Sequence, residues 1–104
     1  MTTFDDREHA FEAKFAHDAD MKFRAEARRD KLVGLWAAGL LGKSGDEALA
    51  YAMSIVSADV AEAGIEDVIR KVAGDLGSLS SADAVRAKMA ELLPEAKSQL
   101  LKEF

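Results

Sequence analysis

The sequence predicts an all-α fold: a four-helix bundle with a long first helix whose N-terminal part is frayed or disordered when free. Three observations predict it. Apolar residues recur at three- and four-residue intervals and nowhere alternate over a strand's length. All seven glycines lie between Gly34 and Gly77, so residues 1–33 can be helical without a break. Of 51 hydrophobic residues 20 are alanine, and 25 of the 31 larger ones follow Lys31, which places the core in the last two thirds of the chain.

The front segment, Asp5 to Lys31, consists mostly of Ala, Glu, Lys, Arg, Asp and Phe, with Asp18/Lys22 and Asp20/Arg24 at four-residue spacing on a solvated face. Its helix propensity is high and its apolar content low, the combination expected to fray alone. From Leu32 the pattern changes. Leu32, Leu35, Trp36, Gly39 and Leu40 trace one buried face, and Gly42-Lys43 ends the helix.

Ser44 and Glu47 have capping-box spacing at the start of a second helix, about Gly45 to Ala63, whose stripe is Leu49, Ala52, Met53, Val56, Val60 and Ala63. Gly64 is placed as its left-handed stop. A third helix carries Ile65, Val68, Ile69, Val72 and Leu76, with acids in its first turn and Arg70 and Lys71 later. After a loop through Ser78–Ser81, in which Ser80 and Asp83 resemble a cap, a fourth helix carries Val85, Met89, Leu92, Leu93, Ala96, Leu100 and Phe104. Its apolar phase continues through Pro94, which predicts one kinked helix in place of two.

Fourteen basic against nineteen acidic residues give a net charge of −5, which argues against nucleic acid or anionic lipid as partner. No apolar run approaches the ~20 residues needed to cross a bilayer, and the start lacks the features of a signal peptide. The absence of cysteine removes disulfides and thiolate chemistry and points to a reducing, cytoplasmic setting.

Few residues suggest chemistry. His9 and His17, eight residues apart on a helix, would stand about 12 Å apart, too far to share a metal; His9 pairs more simply with Asp5, so no metal site is expected. Gly42-Lys43-Ser44 imitates the end of a phosphate-binding loop, but Ala37 stands where that loop needs glycine and a helix precedes it in place of a strand. No convergent nucleophile, base and oxyanion donor is present, so no enzyme is expected. Arg24, Arg28, Arg29 and Lys31 form a basic collar, net +3 over residues 21–31, behind a start of net −4 over residues 1–20. A solvated face explains such charges; a docking surface for another protein is the functional reading. Phe4, Phe11 and Phe15 fall at i, i+7 and i+11 on a segment otherwise covered in charge, and with Phe23 they need burial either against the bundle or in a partner's groove.

The run Phe4-Asp5-Asp6-Arg7-Glu8, continuing through Ala10 to Asp18 and then Ala27 to Ala38, resembles the zeta-subunit family of alphaproteobacterial ATP synthase inhibitors. The resemblance extends through Tyr51-Ala52, Asp59 and Glu66 to Val72. Two positions depart from that pattern: asparagine is commoner at Asp30, and proline often precedes the glycine of Glu62-Ala63-Gly64. The resemblance implies a four-helix protein whose N-terminal segment inserts at a catalytic interface of the synthase head, beside the rotary shaft, and stops ATP hydrolysis. Carried to this chain, residues 1–19 are the inhibitory segment and residues 20–104 the bundle. Phe4, Phe11 and Phe15 become apolar anchors, and Asp5, Asp6, Arg7, Glu8, His9, Glu12 and Lys14 polar contacts. The implied partners are the alpha, beta and gamma subunits of the F-type head, for a protein that is monomeric when free and peripheral to the inner membrane through the synthase. No cofactor is expected beyond weak adenine-nucleotide contact near Ser80 with Arg70 or Arg86. The alternative is a generic helical interaction module that binds another complex through the same front helix.

Overall fold

The computed structural model describes residues 19–61 and 64–103. Those residues form four α-helices, α1 (Ala19–Leu40), α2 (Gly45–Ala61), α3 (Ile65–Leu76) and α4 (Ala82–Lys102), with one 3₁₀ turn at Gly77–Leu79. There is no strand among the described residues. Expectations about residues 1–18, 62–63 and 104, including Phe104 in the fourth stripe, lie outside them.

Helix α1 ends as glycine spacing predicts. Gly42, at φ 78, lets the Gly42 amide donate to Gly39 O at 3.1 Å and the Lys43 amide to Ala38 O at 2.9 Å, the paired bonds of a Schellman stop. The capping box at the next start does not form. Ser44 contributes its backbone carbonyl to the Ala48 amide, and Glu47 lies 3.7 Å from the Lys43 ammonium. Gly64 precedes α3 at φ 145, ψ 149. At α4 the cap is one residue later than expected: Ser81, not Ser80, accepts the Ala84 amide, at 3.1 Å. Helix α4 runs unbroken through Pro94.

Helix α1 is the spine, packed against both α2 and α4, with α3 closing the far side. The main core joins Val33 and Ala37 of α1, Ile55 of α2, Val68, Ile69, Val72 and Leu76 of α3, and Val85 and Met89 of α4; Trp36 and Leu92 pack against it half-buried. The Lys88 ammonium stands over the Trp36 ring, 5.5 Å from its centroid. A second, smaller cluster of Met21, Ala25 and Leu100 closes the end where α1 begins.

The buried faces of α3 and α4 follow the sequence reading, with Ile65 the exception at 42% exposure. Those of α1 and α2 do not. Val33, Gly34, Ala37 and Ala38 face inward on α1 while Leu35 and Leu40 are exposed, and on α2 Ala52 and Ile55 are buried while Leu49 and Met53 face out.

Candidate functional site

The predicted inhibitory residues Phe4, Asp5, Asp6, Arg7, Glu8, His9, Phe11, Glu12, Lys14 and Phe15 lie outside the described residues. The structure does describe the platform from which they extend. Helix α1 begins at Ala19, and its first turn is tied by an Asp20–Arg24 ion pair of 3.0 Å. The four collar residues then separate by helical phase. Arg24, Arg28 and Lys31, at i, i+4 and i+7, share one face of α1. Arg28 reaches across to α4, where it donates to Gln99 Oε1 at 3.1 Å and to Glu103 Oε1 at 2.5 Å. Beside these three, a shallow groove of about 360 Å³ runs over α1 between α2 and α4, with Phe23, Ala27, Met53 and Leu100 among its lining.

Arg29 points the other way. It is 6% exposed, and its Nε and Nη2 donate to Asp30 Oδ1 at 3.1 and 3.0 Å, with Asp59 Oδ2 of α2 3.7 Å from Nη2. One guanidinium thus faces two carboxyl groups. Asp30 is fully buried, and no donor reaches its Oδ2. Burial pushes the Asp30 carboxyl up to about 8; the neighbouring Asp59 carboxylate pushes the same way, and Arg29 opposes them. Asp30 is therefore the acid of the pair at neutral pH, and its proton is the natural occupant of the Oδ2 position that no donor reaches. A cavity of about 510 Å³ beside the pair is bordered by Phe23, Glu26 and Ile65. Sequence reasoning assigned Arg29 to an exposed collar and missed this cluster, because Asp59 is far away in sequence.

The residues considered for nucleotide contact are each engaged elsewhere or set apart. Arg70 pairs with Asp67 at 3.0 Å. Arg86 bridges Glu66 of α3 at 2.8 Å and Asp83 at 2.9 Å, which holds the Glu66 carboxyl below its usual range and raises the guanidinium. Ser80 is the residue before the cap and does not serve as one. A further link between elements is the Tyr51 hydroxyl, which donates to Asp75 Oδ2 at 2.9 Å; burial raises the phenol's pKa. Among the described residues no group of three or more His, Cys, Asp or Glu is arranged to hold a metal ion, and no helix is long and apolar enough to cross a membrane.

A solved solution NMR structure is similar to this chain at 58% sequence identity, with a TM-score of 0.74, covering 81% of this chain and 99% of that one. No curated protein matches. The family model described as ATPase inhibitor subunit zeta matches residues 1–99, which takes in both the front segment and nearly all of the bundle. The chain belongs to the ATPase inhibitor subunit zeta family.

Proposed function

We propose that this protein inhibits ATP hydrolysis by the F-type ATP synthase, with residues 1–19 as a wedge in a catalytic interface of the rotary head and residues 20–104 as the body that holds it there. The observation that carries the reading is that a family model of ATPase inhibitors matches residues 1–99, the front segment included. Among the described residues, two buried clusters hold the helices together as a body behind that segment. The front segment carries Phe4, Phe11 and Phe15 among charged residues, the composition of a helix that enters a partner's groove. The partner would be the alpha, beta and gamma subunits at the head, reached in the cytoplasm.

Inhibition of this kind needs no chemistry from the inhibitor and no cofactor. Two subunits that must open and close in each catalytic cycle are held in one arrangement by an inserted segment, and the free energy of that complex opposes the next step. Phe4, Phe11 and Phe15 supply apolar burial. Asp5, Asp6, Arg7, Glu8, His9, Glu12 and Lys14 supply polar contacts, and the acidic balance speeds encounter with a basic opening. The collar members on the outer face, exposed Arg24 with half-buried Arg28 and Lys31, would meet the rim.

The test is inhibition of ATP hydrolysis by the isolated head. Burying a phenylalanine contributes about 1.5–3 kcal/mol, so Phe11→Ala with Phe15→Ala should weaken inhibition by about a hundredfold or more. Deleting residues 1–19 should abolish inhibition while circular dichroism reports an intact helical bundle. A folded truncation that inhibits as well as the full chain would assign the block to the bundle instead.

A further inference from the structure

The contact between α1 and α2 changes character along its length. At Gly34 and Ala52 the two backbones meet, so closely that a Cβ added to Gly34 would lie 2.6 Å from the Ala52 Cα. One turn back along α1 and two turns on along α2, the contact becomes Asp30 and Asp59, two carboxyl groups that share one guanidinium. Arg29 Nη2 stands 3.0 Å from Asp30 Oδ1 and 3.7 Å from Asp59 Oδ2, while Asp30 Oδ2 is buried with no donor. One guanidinium cannot balance two ionised carboxylates closed off from water, so this end of the contact needs a proton. Beside it lies the cavity of about 510 Å³, with Phe23 of α1, Val56 of α2 and Ile65 of α3 on its border.

We propose that the Asp30–Asp59 contact is a proton-operated latch: a proton on Asp30 holds the last turns of α2, Val56 to Asp59, against α1, and its release lets those turns move away while the Gly34–Ala52 seam stays closed. The charges around the latch leave no other way to relieve it. On its own helix Asp30 meets Arg29, with Glu26 on the border of the cavity, and from α2 it meets Asp59. Helix α3 brings uncharged Ile65 to that border, and the adjacent Glu66 is tied to Arg86 of α4 at 2.8 Å. Helix α4 adds no described residue there. Among the described residues Arg29 is thus the one cation that acts on Asp30, and it already serves both carboxyl groups.

The cavity makes the response local. Once the last turns of α2 move, water from it reaches the carboxylate, while the main core around Val33, Ile55, Val72 and Met89 stays packed. Closed, the latch binds a proton up to about pH 8; open and hydrated, Asp30 returns toward its ordinary value of 3.8. Each opening therefore releases one proton, and the opening constant rises about tenfold per pH unit between those limits and is level above them. Release frees from α2 the part of α1 that leads back to Ala19. The latch belongs to the bundle and does not depend on which partner residues 1–19 meet.

Amide hydrogen exchange of the full chain at a series of pH values up to about 9, corrected for the intrinsic rate at each pH, tests the latch. The opening constant of the Ala58 and Asp59 amides should rise about tenfold per pH unit and level off near pH 8, and at every pH it should exceed that of the Ala52 amide at the seam. Asp30→Asn has no proton to release, so the opening constant at Ala58 and Asp59 should lose its dependence on pH. Asp59→Asn replaces the second negative charge with an amide that can donate to Asp30, and should move the levelling-off to lower pH. Equal opening constants at Asp59 and Ala52 would tie proton release to global unfolding and overturn the proposal. So would opening of the α2 end that ignores pH in the parent chain, which is simple fraying, or a pH dependence that survives Asp30→Asn.

Discussion

Asp30 shows how far one side chain's environment can depart from its neighbourhood in the sequence. It sits within a run of basic residues, in a collar that reads as solvated, but its position on α1 turns it into the bundle against Arg29 and Asp59, with Glu26 nearby. The charged groups that act on it are thus one cation, Arg29, and one carboxylate, Asp59. Since its pKa rises from 3.8 to about 8 on folding, the native state holds a proton that the unfolded chain releases. This group's contribution to stability is therefore greatest below about pH 4, falls as pH rises through the interval up to about 8, and is flat beyond. The slope attributable to this group approaches about 1.4 kcal/mol per pH unit in that interval. Asp30→Asn keeps the neutral shape with no proton to lose, so urea unfolding should find the variant more stable by a few kcal/mol at pH 7, with a shallower dependence between pH 5 and 8. A variant with the wild-type slope would place the buried proton elsewhere. That the partner of Asp30 is Asp59, 29 residues later, was not legible in the sequence, because nothing local encodes the pairing.

Between elements, the sequence reading succeeded on α3 and α4 and slipped on α1 and α2 for a common reason. Size and hydropathy mark Leu35, Leu40, Leu49 and Met53 as core, but the α1–α2 crossing is built from small residues that let two backbones approach closely. Gly34 is the point of closest approach. A Cβ placed there would lie 2.6 Å from the Cα of Ala52 and 3.0 Å from its Cβ. Periodicity cannot tell a small-residue seam from a run of surface alanines, whereas the larger residues of α3 leave no such ambiguity. Gly34→Ala therefore sets two effects against each other: alanine is the better helix former by about 1 kcal/mol, but the obstructing atom is backbone and cannot rotate away. The steric term should win, with a net loss of about 1–3 kcal/mol in chemical unfolding and little loss of helix content. A variant as stable as the parent would mean that the α1–α2 crossing can widen at no cost.

Across the whole molecule, the core is divided unequally along the spine. One end unites all four helices around Val33, Ile55, Ile69, Val72 and Met89; the other, where α1 begins, relies on Met21, Ala25 and Leu100 with Leu93, reinforced by the Arg28 link to Gln99 and Glu103. Exposed ion pairs of that kind add little, about 0–1 kcal/mol, so among the described residues the smaller cluster depends on three buried side chains from two helices. Native-state amide exchange should therefore show two tiers. Amides of Val33–Ala38, Ala52–Ile55, Ile69–Val72 and Val85–Met89 should exchange only through global unfolding, with one common free energy. Those of Phe23–Arg28 and Gln99–Leu101 should exchange through a smaller opening of lower free energy that separates the start of α1 from the end of α4. Met21→Ala should lower the second tier and leave the first almost unmoved, whereas Met89→Ala should lower the global tier by about 2–5 kcal/mol. The distinction matters because the segment proposed as inhibitory, residues 1–19, joins the bundle at its weaker end. Opening there frees the root of residues 1–19 while the main core stays folded, so the segment can be reoriented in a partner without unfolding the body that holds it. A single exchange tier across both clusters would make the bundle one cooperative unit, and insertion would then have to use the root of α1 as a rigid lever.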